Sequence, residues 1–190
     1  MKDEIFKFDT KVKVSILVGI SVVLMYFRVR VPFFPSFLDF DFSDVPILFI
    51  GLVFSPIISV IAMGVKNILI VLIMGSFTSG IGELANFLMG SFFVYSCSYV
   101  FRKYAKKVWT FLIGMISLIF SGVLMNYFLI LPIYMKVLGL NLNEIIGDIS
   151  VLKYLIVYIV PYNIIKSVII FFPAMFIYDR FKKINSRNIS

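Results

Sequence analysis

Of the 190 residues, 61% are apolar and 15% charged, with a mean hydropathy of +1.04; a soluble domain is about 45–50% apolar and about 25% charged. So short a chain cannot bury that much apolar surface, which excludes a soluble globule, a disordered chain and a nucleic-acid-binding domain and leaves an integral membrane protein. The net charge is +8, there is no histidine and there is one cysteine, Cys97, so histidine-ligated metal sites, His-based acid–base catalysis and an intrachain disulfide are excluded as well.

Residues up to Lys13 are charged and polar. The apolar run after them lacks a small-residue cleavage site and continues toward Arg28, so it reads as a first span at 14–29 rather than a cleaved signal peptide. Residues 30–44 are too interrupted for a span yet rich in phenylalanine. Phe40 and Phe42 alternate with Asp39, Asp41 and Ser43, a period of two that sets one face on apolar protein and the other toward water. Together with Phe37 and Leu38 this stretch is expected to form an external lid loop between helices 1 and 2; a loop resting in lipid headgroups is the alternative. A short second span at 45–55 and a third at 56–75 are separated only by Ser55-Pro56, with proline tolerated in a helix's first turn. One bent span across both is the other reading. Spans at 81–101, 108–134 and 152–178 complete an all-α membrane domain of six helices covering 1–190. The connection 135–151, with Asn141-Leu142-Asn143-Glu144, reads as a short amphipathic piece.

Charge sets the orientation. With six spans and a cytoplasmic N-terminus, twelve of the 18 Lys and Arg fall inside, in segments 2–13, 102–107 and 180–187. Four (Arg28, Arg30, Lys136, Lys153) fall outside, and Lys66 and Lys166 fall within spans. This bias is the positive-inside pattern and predicts both termini cytoplasmic in a multi-pass protein of the plasma membrane. Net charge therefore reports topology, not a ligand.

Polar groups at membrane depth are rare and usually face the protein interior or a cavity. Here they are Lys66 and Asn67 in span three, Glu83 and Asn86 in span four, Asn126 and Tyr127 in span five, and Asn163 and Lys166 in span six, where Glu83 is the one acid expected inside the membrane. At about 1.5 Å per residue, Glu83 and Asn86 lie within about 8 Å of the outer end. Asn126 lies about 27 Å from the inner end, Lys66 about 15 Å from it, and Asn163 and Lys166 about 17–21 Å from the outer end. All sit in the outer half or near the midplane, which describes a cavity open outward and closed below. Glu83 and Asn86 share a helix face, as do Asn163 and Lys166. The competing structural roles are a Lys66–Glu83 ion pair, interhelical bonding by Asn126, snorkelling by Lys166, which is too deep to do so easily, and packing or interface placement of Tyr127 and Tyr162. Two amides, each donor and acceptor, with lysine, glutamate and phenylalanine-rich walls suit a small aromatic metabolite with one polar edge.

These residues resemble the substrate-binding S components of the energy-coupling factor (ECF) vitamin transporters, riboflavin type (RibU-like). The resemblance rests on Asp41-Phe42-Ser43-Asp44-Val45-Pro46, Val65-Lys66-Asn67 and Gly82-Glu83-Leu84-Ala85-Asn86-Phe87-Leu88-Met89-Gly90. It rests also on Met125-Asn126-Tyr127-Phe128-Leu129-Ile130-Leu131-Pro132-Ile133-Tyr134 and Pro161-Tyr162-Asn163-Ile164-Ile165-Lys166. It implies six helices, a riboflavin pocket near the outer face, capping by the first loop, and ligand contacts from Asn126, Asn163 and Lys166, with Glu83, Asn86, Lys66, Asn67 and Asp41 as further candidates. It also implies a small-xxx-small face on span one, here Ser15 and Gly19, that packs on a transmembrane coupling subunit, with two separate ATPase subunits supplying hydrolysis. No Gly-xxxx-Gly-Lys-Ser/Thr string occurs, and no cofactor beyond the transported riboflavin is expected. The other readings are the same fold for flavin mononucleotide or another vitamin, a standalone ion-coupled carrier, and a lipid-modifying membrane enzyme.

Overall fold

The computed structural model describes residues 2–31, 34, 35, 38–75, 80–139 and 141–187. In chain order these form α1 (Lys2–Leu24), β1 (Val29–Arg30), β2 (Asp39–Phe40), α2 (Asp44–Val53), α3 (Pro56–Met74) and α4 (Ile81–Tyr104). Next come α5 (Lys107–Met125), a π-helical turn (Asn126–Ile130), α6 (Leu131–Leu138), α7 (Leu142–Ile146) and α8 (Val151–Tyr154), then a second π turn (Leu155–Ile159) and α9 (Val160–Arg187). Each π turn joins its flanking helices into one rod, so the bundle has six principal helices and the short α7. Among the described residues, four stretches are long and apolar enough to cross a membrane: Pro56–Ile73, Ile81–Tyr104, Lys107–Val137 and Leu142–Ile184.

The breaks follow from local chemistry. Ser55 is extended at φ −166°, ψ 146° ahead of Pro56, as the proline ring disfavours a helical residue before it. Two separate helices therefore replace the single bent span. α4 ends on Ala105, left-handed at φ 53°, and α5 opens at Lys107, so a two-residue turn makes the two helices antiparallel neighbours. α7 carries a capping box, with the Asn141 N–H donating to Glu144 Oε2 at 2.6 Å, the arrangement that satisfies otherwise unpaired amides at a helix start.

Three expectations need correction. The first span was placed at 14–29, but α1 runs from Lys2 and stops at Leu24. Its end is set by a turn at Met25–Phe27 and by the antiparallel pairs Val29↔Phe40 and Arg30↔Asp39. The period-two face of the lid breaks after Phe40: Phe40 is buried, but Asp41 and Ser43 are buried too and Phe42 is 43% exposed. The strand ends there, and Asp41 Oδ1 accepts the Ser43 N–H at 2.7 Å, turning the chain into α2. Finally, the last two spans extend past 134 and 178 and each contains a π turn.

α2 is only 10 residues long, about 15 Å, half the apolar thickness of a bilayer. It is nonetheless the middle of the protein: Asp44 through Leu52 are all buried, with α1, α3, α4 and α9 packed around it. Ile47, Leu48 and Ile50 join Met63, Phe93, Cys97, Leu118 and Ile170 in the main core. Gly51 and Gly114 allow close helix approach, because a Cβ there would land on Ser98 Oγ and Cys97 Sγ. The short β-hairpin lies over the end of the bundle where α2 begins.

Candidate ligand site

At that end a continuous polar cluster is buried among α2, α3, α4 and α9. Lys66, fully buried on α3, donates to Ser43 Oγ at 3.1 Å and forms an ion pair with Asp44 Oδ1. Lys166 on α9 donates to Asn86 Oδ1 at 3.0 Å and stands 3.4 Å from Asp44 Oδ2. That second contact is an ion pair without the alignment of a hydrogen bond, so Asp44 Oδ2 has no hydrogen-bond partner. Asn86 Nδ2 donates to Asn67 Oδ1 at 3.3 Å, and Asn67 Nδ2 to the Met63 carbonyl at 2.8 Å. Each charge has an opposite neighbour, which burial demands.

A second group adjoins it one helical turn away. Asn163 precedes Lys166 by three residues on α9, and its Nδ2 donates to the Ile159 carbonyl at 2.8 Å. Its Oδ1 is buried without a hydrogen-bond partner, in a residue only 1% exposed. Facing it across the helix contact is Gly122, where a Cβ would lie 2.5 Å from Asn163 Nδ2. Asn126 opens the first π turn; its Nδ2 donates to the Gly122 carbonyl at 2.8 Å and its Oδ1 accepts from the Tyr154 hydroxyl at 3.3 Å. π turns add a residue to the helical ladder and often accompany functional sites. Here Asn126 opens one π turn and Asn163 follows the other by four residues.

The hairpin covers these groups. Phe40 packs on Tyr162 with ring centroids 4.7 Å apart, and Phe34 meets both rings edge-on at 5.6 and 5.9 Å. The Tyr162 hydroxyl donates to the Asp39 carbonyl at 2.8 Å. Leu38 and Phe40 thus join Tyr154, Leu155 and Ile159 in one apolar cluster over the amides. Phe37 lies outside the described residues, and Phe42 points away.

The structure thus brings together Asn126, Asn163, Lys166, Asn86, Asn67, Lys66 and Asp41. Glu83 is buried one turn before Asn86, but the ion pair of Lys66 is with Asp44. Sequence reasoning placed Asp44 in the outer loop and made Glu83 the sole acid of the interior; Asp44 is instead the first residue of α2 and 1% exposed. Charge accounting held the clue, since two lysines at membrane depth against one acid left an ammonium unpaired. Tyr154, fully buried against Asn126, also went unnoticed, because one tyrosine among ten carries no local signal. Tyr127 is 51% exposed, as a packing or lipid-facing residue would be.

Two surfaces lie apart from this cluster. On α1, Ser15 is exposed and nothing lies within 4 Å of a Cβ built on Gly19; Ile16, Ile20 and Val23 flank them, also exposed. A groove of about 360 Å³ between α5 and α9, lined by Phe111, Phe171, Phe172 and Met175, is closed at one end by the Lys107–Asp179 ion pair. It holds none of the amides.

Comparison with known proteins gives a consistent picture. The chain is 33% identical over 173 residues to the riboflavin transporter RibU of Staphylococcus aureus (strain TCH60), covering 89% of this chain and 88% of that one. It is 32% identical over 163 residues to the riboflavin transporter FmnP of Bacillus subtilis (strain 168), covering 84% of each. A solved structure of the S component of a bacterial ECF transporter superposes with a TM-score of 0.76 at 29% identity, over 94% of this chain and 98% of that one. The family model "ECF transporter, substrate-specific component" matches residues 10–178; the chain, a membrane protein and not an enzyme, belongs to that family.

Proposed function

We propose that the chain binds riboflavin at the cluster around Asn163 and Lys166, on the outward side of the plasma membrane, as the specificity subunit of an ATP-driven ECF importer. The observation that carries the ligand assignment is the unpaired, buried Asn163 Oδ1 one turn from the Lys166 ammonium. An acceptor beside a donor complements an imide edge, which offers an N–H flanked by carbonyls; the flavin ring ends in such an edge. An unpaired acceptor in an apolar interior is costly, so a ligand N–H there gains its full value. Tyr162, Phe40 and Leu38 offer apolar surface to an aromatic ring system. The names of the relatives support the same ligand.

Orientation follows from the twelve-to-four bias of Lys and Arg, which favours the hairpin end outside and both termini in the cytoplasm. The Ser15–Gly19 face of α1 would then lie along the membrane, open to a coupling subunit whose helix packs on small residues. Lys66 and Lys166, each beside Asp44, serve the site rather than an ion path. Uptake would come from a rigid-body tilt of the subunit, driven by two ATPase subunits through the coupling subunit.

Reconstitution tests this. Alone in liposomes the subunit should bind riboflavin and not accumulate it; with coupling subunit, ATPases and ATP on their side it should accumulate it, and a nonhydrolysable analogue should not sustain uptake. Accumulation by the lone subunit on an ion gradient would overturn the importer reading.

A further inference from the structure

One carboxylate stands between two buried ammonium groups, and only one of these, Lys166, is carried one turn from Asn163 on the same helix. Lys66 is spent on the protein: it is fully buried, and its donors meet Ser43 Oγ and Asp44 Oδ1. The backbone under Asp44 is equally fixed. Ser21 Oγ on α1 donates to the Ser43 carbonyl, and Asp41 Oδ1 holds the Ser43 N–H at 2.7 Å. With Oδ1 anchored by Lys66, the second oxygen of Asp44 stands at a set place. Lys166 Nζ lies between that oxygen, at 3.4 Å, and Asn86 Oδ1, at 3.0 Å. Asn86 is itself held by Asn67, and Asn67 by the Met63 carbonyl.

Lysine is a point charge on a flexible four-carbon stem with three rotatable donors. Lys66 and Lys166 each meet two protein oxygens, but Lys66 is 0% exposed, while Lys166 is 7% exposed and follows Asn163 by one turn, so the donor open to a ligand is on Lys166. We propose that Asp44 is a positioning residue that sets the ammonium of Lys166 for the ligand, and that Lys66 is the counter-charge that holds Asp44 in place. Asp44 touches no ligand and acts through Lys166; Lys66 is no ligand contact either, unlike the role the sequence implied for it. This inference rests on Lys166 facing riboflavin, as proposed above.

A double-mutant cycle on the full chain in detergent tests it, with riboflavin fluorescence quenching as the readout. Asp44→Asn keeps shape and removes charge, and should weaken riboflavin binding about ten- to a hundred-fold, the range for losing a hydrogen bond to a charged group. In a Lys166→Met background the same change should cost less than about twofold, because the group it positions is gone. A purely structural Asp44 would cost the same in both backgrounds, and that result overturns the proposal. If Asp44→Asn does not purify as monodisperse protein, Asp44→Glu carries the cycle, its longer arm displacing Lys166 with charge retained; equal losses in the two backgrounds again refute it. Because Asp44→Asn leaves Lys66 without its carboxylate in either background, the cycle is read only on variants that purify as monodisperse protein, and Asp44→Glu, which keeps a carboxylate beside Lys66, carries it otherwise. Failure of the unmutated protein to bind riboflavin refutes the ligand reading itself. Binding by the unmutated protein with an additive cycle refutes the positioning role alone.

Discussion

Gly122→Ala adds one methyl group at the tightest point of the proposed site. The new Cβ would stand 2.5 Å from Asn163 Nδ2 and 3.0 Å from its Cγ, where ordinary contact begins at 3.4 Å. Something must move by about 0.9 Å. The α5 backbone is poorly placed to retreat, because α5 packs on α4 as well as on α9, so the Asn163 amide has to swing. Overpacking of this kind costs about 1–3 kcal/mol, offset by up to about 1 kcal/mol from the better helix propensity of alanine. The ligand-free protein should therefore lose between about 0 and 3 kcal/mol. Riboflavin binding should fall further, since a displaced Oδ1 forfeits a buried hydrogen bond worth about 1–3 kcal/mol, or about five- to 150-fold in Kd. Fluorescence quenching gives the Kd and a thermal melt the stability. Gly19→Ala is the internal control: nothing lies within 4 Å of its Cβ, so stability should rise slightly and binding stay unchanged. A Gly122→Ala protein with unaltered Kd would refute the placement of the ligand edge at Asn163.

Two further outcomes follow. Asn163→Leu should weaken riboflavin binding by about 1–3 kcal/mol and cost the ligand-free protein less than Asn126→Leu does, because it gives up only the bond to the Ile159 carbonyl while its oxygen had no partner. Asn126→Leu should also lower apparent stability in the melt, since it strips the Tyr154 hydroxyl and the Gly122 carbonyl of their bonds. Equal melts for the two variants would contradict this division. Ser15→Leu or Gly19→Leu should leave binding intact and abolish uptake by the reconstituted complex, since bulk on the exposed face of α1 keeps a partner helix away; normal uptake in both variants would contradict the docking face.

The helix count was readable from the sequence because apolar runs and their breaks are strong local signals. Ser55-Pro56 favoured two helices over one bent span, and Asn141–Glu144 stood out as a short amphipathic piece. Boundaries set by tertiary contact were not readable. α1 ends early because Val29 and Arg30 pair with Phe40 and Asp39, and no local pattern announces that ladder. The same cause hid the role of Asp44: an acid beside phenylalanines looks like loop, and only the fold brings it between Lys66 and Lys166. The alternation through Phe42 failed where a strand gave way to a turn. The amides Asn126 and Asn163 were legible because unpaired polar groups at membrane depth are rare. Their meeting at Gly122 was not, because the contact that brings α9 onto α5 leaves no local mark in the sequence.

The most direct test of the central claim is a titration of riboflavin into the purified, unmutated subunit, beside the Asn163→Leu/Lys166→Met double variant. The account predicts saturable quenching of flavin fluorescence at one riboflavin per chain, with the absorption bands shifted from those of free riboflavin. The double variant, equally monodisperse, should show neither at the same concentrations. Absence of quenching in the unmutated protein, or full binding by the double variant, would contradict it.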